Sequence, residues 1–271
     1  MLYVVATPIG NLSDITYRAV EILKTCDYIL CEDTRHSVVL LKHYEITRPL
    51  KSLHKFNEAS QLSHIISDLQ QGQKVALISD AGTPAISDPG ERLVKECVNE
   101  NITVIPIPGA CAAIAALSSS GLDTSRFQFC GFLPRRAGER KRIMQEILTY
   151  PGTTICYESP NRLKDILALI AESDPARSVV VARELTKKFE EFMRGTAGEL
   201  LTRLDQPLKG EIVLLISGRP PQASMDWESL TPEEHVAMMQ KTYSLSKQDA
   251  IKMVAQMRQV PKRDIYNKIH K

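Results

Sequence analysis

The chain has 271 residues, 43% hydrophobic and 24% charged, an ordinary globular balance that is long enough to bury two modest cores. Its formal net charge of +2 is too small to mark a nucleic-acid binder by composition, and no run approaches the roughly 18 apolar residues of a membrane span. Six cysteines without a C-x-x-C pair argue for reduced thiols in a cytoplasmic protein and against a metal site, and MLYVVATPIG has neither a basic leader nor a cleavage site, so no signal peptide is expected.

In chain order, LYVVAT (2–7) reads as a strand. DITYRAVEILKTC (14–26) carries a helical stripe of Ile15, Ala19, Ile22 and Leu23 behind Asp14 as the expected N-cap. DYILCED (27–33) is the next strand and SVVLLKHY a helix; ASQLSHIISDLQQG is a helix closed by Gly72, followed by the strand KVALIS. DPGERLVKECVNEN is helical, and ITVIPIPG is a strand that ends in Pro108 and Gly109. Strands alternating with helices predict a parallel sheet covered on both faces, whose ligands bind beyond the carboxyl ends of the strands. The Gly, Pro and acid clusters fall there: TPIGN (7–11), EDTR (32–35), SDAGTP (79–84) and PIPGAC (106–111), four loops expected to line one pocket.

After the small-residue helix ACAAIAALSSSGL the texture changes. FQFCGFL, GTTICYES, SVVVARELT and GEIVLLISG read as strands, with helices expected only near 138–149 and in NRLKDILALIAES. This predicts a second α/β domain with a more antiparallel sheet. RPPQASMD (219–226) reads as a linker, and T-P-E-E (231–234), S-K-Q-D (246–249) and Pro261 mark the starts of three short helices. From His235 onward, eight Lys or Arg stand against two Asp, and PRRAGERKR (134–142) forms a second basic knot. The expected organisation is an N-terminal α/β domain at 1–113, a second at 114–219 and a basic helical module at 228–271.

EDTRH (32–36) either orients a substrate or is a local ion pair that fixes a loop. YESPNR (157–162) and ARELTK (182–187) repeat the form of a strand end followed by a carboxylate beside a base, which favours a cleft shared by the two domains. The six His are scattered without a nucleophile partner, which argues against a hydrolase. SDAGTPAISDPG (79–90) fits neither the dinucleotide nor the phosphate-loop glycine pattern.

Taken in order, TPIGNLSDITYRA, CEDTRH, SDAGTPAISDPG, PIPGACAAIAALSSSGL, CGFLP, YESPNR, ARELTKKFEE and KGEIVLLISG span residues 2–218 and resemble the tetrapyrrole methylase superfamily. Within it, the chain is similar to the branch that methylates small-subunit ribosomal RNA. The resemblance implies two α/β domains, a mostly parallel and then a mixed sheet, with an S-adenosylmethionine cleft between them and a small C-terminal helical module. It also implies a cytoplasmic homodimer acting on a cytidine 2′-oxygen in the decoding region of 16S rRNA. Corrin- and porphyrin-modifying members have G-x-G near the first strand and G-D-P after the third. Here Thr7-Pro8-Ile9-Gly10 and Gly82-Thr83-Pro84 stand in their places, which shifts the expected substrate from a tetrapyrrole to RNA.

Carried over position by position, the resemblance assigns the cofactor to Pro8, Ile9, Ser79, Asp80, Ala81, Thr83, Ile86, Cys111, Ala112, Tyr157, Glu184, Leu185, Glu211 and Ile212, with Asp80 at its amino-acid end. Glu32, Asp33 and Glu184 are the candidates for the acceptor of the hydroxyl proton, and Arg35, Arg183 and Lys187 for the flanking phosphate. The competing readings are a small-molecule methylase and a non-catalytic ribosome assembly factor on the same fold.

Overall fold

Val75, Ala76 and Leu77 are all fully buried, as a central strand covered on both faces requires. In the computed structural model these residues form β4 (Val75–Leu77) of a five-stranded parallel sheet. Its other members are β1 (Leu2–Val5), β2 (Tyr28–Cys31), β3 (Leu50–Ser52) and β5 (Val104–Ile107), in the order β3-β2-β4-β1-β5. Alternation along β4 sends Val75 and Leu77 into a core with α3 (Glu58–Gln70) and α4 (Glu91–Asn99). Ala76 and Ile78 enter the opposite core with α1 (Tyr17–Thr25) and α2 (Thr34–His43).

The structure describes residues 1–204, 208–218, 230–243 and 245–269. It divides into two units, Met1–Arg219 and Pro220–Lys271. The linker expected at 219–226 lies outside the described residues.

The first unit holds a second sheet, ordered β6-β7-β10-β8-β9, from β6 (Phe127–Phe132), β7 (Thr153–Glu158), β8 (Ser178–Arg183), β9 (Glu191–Thr196) and β10 (Ile212–Ile216). β6 and β7 run parallel and the other pairs antiparallel, a mixed sheet. One face packs on α6 (Ala137–Thr149), α7 (Pro160–Ser173) and α8 (Ala197–Arg203). The other face, with Ile155, Val180, Ala182, Val213 and Leu215, meets Ile9 and the small residues Ala113 and Ala116 of α5 (Ala112–Ser118). Small side chains let α5 lie close to this face, so the helix following β5 joins the two sheets.

Three local expectations are corrected. Asp14 does not cap the first helix: it closes a 3₁₀ turn, and Thr16 caps α1 by accepting the Ala19 N–H at 3.1 Å. β9 and α8 follow Lys188 where no element was expected, because an edge strand reading EFMRGT lacks an apolar alternation; the capping box of Thr196 and Glu199 was its legible signal. β3, three residues long, also forms where no element was expected.

The second unit consists of α9 (Pro232–Tyr243), α10 (Lys247–Met257) and α11 (Lys262–Ile269) around Val236, Ile251, Val254 and Ile265. Thr231 and Glu234 exchange capping hydrogen bonds, Ser246 caps α10, and Pro261 precedes α11 by one residue. Arg258 donates to the Leu230 carbonyl at 2.6 Å, inside the unit, while Lys247, Lys252, Lys262 and Arg263 are exposed. Among the described residues, no helix is long and apolar enough to cross a membrane.

Candidate functional site

All strands of the first sheet are parallel, so the loops after β1, β2, β4 and β5 emerge at one edge. They are tied together through SDAGTP. Thr7 and Gly82 exchange backbone hydrogen bonds of 2.9 and 3.1 Å, and the Thr7 hydroxyl donates to the Ser79 carbonyl at 3.2 Å. The Asp33 N–H donates to Asp80 Oδ1 at 3.2 Å, and the Thr83 hydroxyl donates to the Ala110 carbonyl at 3.2 Å. Gly82 takes φ +80°, and a Cβ there would stand 3.2 Å from Ile9 Cγ2, so this junction needs glycine.

Between this edge and the second sheet lies a cavity of about 400 Å³. Among the residues the sequence assigned to the cofactor, Ile9, Asp80, Ala81, Thr83 and Ile86 line it from the first sheet, with Cys111 and Ala112 at the start of α5. Tyr157, Leu185, Glu211 and Ile212 line it from the second sheet. Pro8 and Ser79 are buried behind the wall, where the Ser79 hydroxyl bonds the Ala81 and Gly82 carbonyls. Glu184 also lies behind the wall: it accepts the Glu211 N–H at 3.0 Å and pairs with Lys187 at 2.9 Å. These bonds, Lys187 first, hold its carboxyl below the ordinary range.

Glu32, Asp33, Arg35 and Lys187 do not line the cavity. Asp33 and Arg35 are the local ion pair: Arg35 Nε and Nη2 donate to the two Asp33 oxygens at 3.1 and 2.6 Å, which holds Asp33 down at about 2. Lys187 Nζ binds Glu184 at 2.9 Å and Glu211 at 2.7 Å, and Arg183 pairs with Glu191 at 3.2 Å. Both cations brace the second sheet instead of facing the cavity.

Among the lining residues without a role assigned from sequence, Asp88, Glu158 and Phe132 bear most on the chemistry. Asp88 follows Ala85 and Ser87, both at positive φ, and burial, then the neighbouring Glu32 charge, push its carboxyl up to about 6 against the partial relief of Lys55. Burial and Asp80 likewise raise Glu32. Glu158, its side chain fully buried, accepts the Ser159 N–H at 2.7 Å and pairs with Arg162 at 3.3 Å; burial raises its carboxyl as well. Phe132 stands beside Tyr157, whose hydroxyl burial pushes up to about 12. Asp88 and Glu158 were legible only as further acids in quoted motifs, because nothing local marks which acid the chain packing will desolvate.

The model of the family described as Tetrapyrrole (Corrin/Porphyrin) Methylases matches residues 1–201. The chain belongs to the tetrapyrrole methylase family. Curated relatives agree: the protein named ribosomal RNA small subunit methyltransferase I of Halalkalibacterium halodurans is 48% identical, covering 99% of this chain and 94% of that one. The proteins of that name from Bacillus subtilis and Synechocystis sp. are 43% and 44% identical, over 100% and 98% of this chain and 94% and 96% of theirs. Among solved structures, uroporphyrin-III-C-methyltransferase from Thermus thermophilus superposes with TM-score 0.55 at 18% identity, over 80% of this chain and 94% of that one. Diphthine synthase gives 0.60 at 12%, over 80% and 89%; both likenesses show the tetrapyrrole methylase fold alone.

The cavity of this methylase-family chain combines an apolar wall of Ile9, Ala112, Leu185 and Val213 with the carboxylates Asp80, Asp88, Glu158 and Glu211. Its volume falls within the usual range for small-molecule sites, roughly 300–1,000 Å³. Among the described residues no Lys or Arg lines it, so the lining favours a ligand with an apolar part and positive charge.

Proposed function

We propose that the chain transfers the methyl group of S-adenosylmethionine to the 2′-oxygen of a cytidine ribose in small-subunit, 16S rRNA. The observation that carries the reading is the cavity's charge pattern: among the described residues, acids and no Lys or Arg line a slot whose aliphatic part is made of Ile, Ala, Leu and Val. Those carboxylate acceptors fit a molecule bearing a sulfonium and an ammonium. The near full-length identity to proteins named small subunit methyltransferase I supports RNA as the acceptor.

When bound, S-adenosylmethionine supplies a methyl group activated by the positive charge on its sulfur. The chain's own residues do the rest. Ile9, Ala112 and Val213 exclude water, and Asp80, fixed by the Asp33 N–H, presents a carboxylate to the amino-acid end. The Asp88 carboxylate accepts the 2′-hydroxyl proton: it lines the cavity, and its raised proton affinity matches it to a weakly acidic hydroxyl near neutral pH. This replaces Glu32, Asp33 and Glu184 in that role. The exposed Arg135, Arg136, Lys141 and Arg142 and the exposed cations of α10 and α11 provide phosphate contacts.

Incubation with tritiated S-adenosylmethionine and small subunits, free rRNA or uroporphyrinogen tests this. Label in 16S rRNA, mapped to one ribose-methylated cytidine, is expected. Label in the tetrapyrrole, or base methylation of RNA, overturns it.

A further inference from the structure

In β6, FQFCGF, strict alternation puts Phe127 and Phe129 on one face and Gln128, Cys130 and Phe132 on the other. The structure breaks this rule at one point. Phe129 pairs with Ile155 and Phe132 with Tyr157, so three steps along β6 match two along β7, an inserted residue at Gly131 with φ +60°. Cys130 and Leu133 therefore stay with the helix-side core, and Phe132 turns to the cavity face with Phe129. Both rings reach Tyr157, with centroids 5.0 and 5.6 Å away. A Cβ on Gly131 would lie 3.0 Å from the Ser87 hydroxyl, so the bulge abuts the loop that carries Asp88.

This rearrangement brings Phe132 little burial. Its side chain lines the cavity yet remains 61% exposed, whereas the helix-side face it leaves is a packed core. Bulges placed beside sites re-aim a side chain, and a phenyl ring held half out of a pocket mouth is a stacking surface. The residues after Phe132 indicate the occupant. Arg162 Nη2 donates to the Leu133 and Pro134 carbonyls at 2.8 and 3.0 Å, fixing the path by which the chain leaves the cavity. Exposed Arg135 and Arg136 come next, their Cα atoms within about 14 Å of that of Phe132 at full extension. An aromatic face with guanidinium groups a few residues away is the combination that holds an unstacked base and its flanking phosphates in single-stranded RNA.

We infer that Phe132, turned outward by the Gly131 bulge, stacks on the nucleobase of the acceptor nucleotide and presents its ribose to the cavity. The inference rests on the reading of the chain as an RNA methyltransferase and adds the residue that recognises the base. No bond is made or broken by Phe132; its role is in acceptor binding.

The test compares wild type, Phe132→Leu and Phe132→Tyr. It measures methyl transfer to small subunits, S-adenosylhomocysteine binding by calorimetry and mass in sedimentation. Phe132→Leu keeps an apolar side chain and loses the ring, so the KM for small subunits should rise at least about fivefold. Cofactor-product affinity and mass stay unchanged, and Phe132→Tyr restores the KM to within about twofold. A wild-type KM in Phe132→Leu overturns the inference. So does a parallel loss of S-adenosylhomocysteine affinity, which makes the ring part of the cofactor wall, or a changed mass, which makes it a contact between copies. A wild-type chain that methylates no RNA overturns the functional reading itself, and the inference with it.

Discussion

The backbone N–H of Asp33 donates to the carboxylate of Asp80 across 3.2 Å, joining the ends of two neighbouring parallel strands. One oxygen of Asp80 is thereby committed to loop geometry, while the residue lines the cavity. Asp80→Asn keeps an acceptor for Asp33 and removes only the charge; Asp80→Ala removes both. We expect S-adenosylmethionine affinity to fall about tenfold in Asp80→Asn and further in Asp80→Ala, with a lower Tm only in the latter. Calorimetric titration and thermal melts check both, and equal affinities in the three proteins would remove Asp80 from the site.

Asp88→Asn separates chemistry from binding. Methyl transfer should drop about 10²–10⁴-fold while cofactor affinity holds within about twofold. The active form of a base is ionised, so wild-type single-turnover rates should climb with pH up to about 6 and then level off. Stability runs the other way. The folded protein binds this proton more tightly than the unfolded chain, so ionising Asp88 destabilises the fold. Asp88→Asn should therefore gain Tm over wild type as pH rises from about 4 to about 6 and keep that gain above it. A pH-independent Tm difference would contradict the buried-acid account.

Lys187 is paired with two carboxylates and does not line the cavity. Its ammonium bridges Glu184 and Glu211, and a Cβ on Gly10 would lie 2.5 Å from its Cγ, so the stem packs against the first loop. Lys187→Met should leave the carboxylate of Glu184, behind the wall, and that of Glu211, which lines it, repelling each other. We expect a Tm lower by about 2–4 °C and weaker cofactor binding, with kcat at saturating substrate nearly unchanged. A selective loss of kcat would return Lys187 to the reacting centre.

Arg135→Ala with Arg136→Ala should weaken small-subunit binding uniformly and lower the slope of log affinity against log salt by about 1.4, at roughly 0.7 per lost phosphate contact. Deleting residues 226–271 should lower it again. An unchanged slope in either protein would show that its cations are merely solvated.

The sequence by itself determined the layer architecture, because buried runs such as VAL at 75–77 and strand-end Gly and Pro clusters are local signals that a parallel sheet converts directly into a shared edge. It also marked most of the cavity wall, since Asp80, Thr83, Cys111 and Tyr157 sit in motifs whose order resembles a known family. Tertiary structure alone decided which charged groups are spent on one another. Asp33 with Arg35, and Lys187 with two glutamates, are paired by contacts that strand-end position does not reveal. It alone decided that Asp88 is a desolvated acid, because burial is a property of the packed loop and not of the letters S-D-P-G. And it alone turned Phe132 outward, because a one-residue bulge inverts the face of every side chain beyond it, while the sequence FQFCGF reads as unbroken alternation.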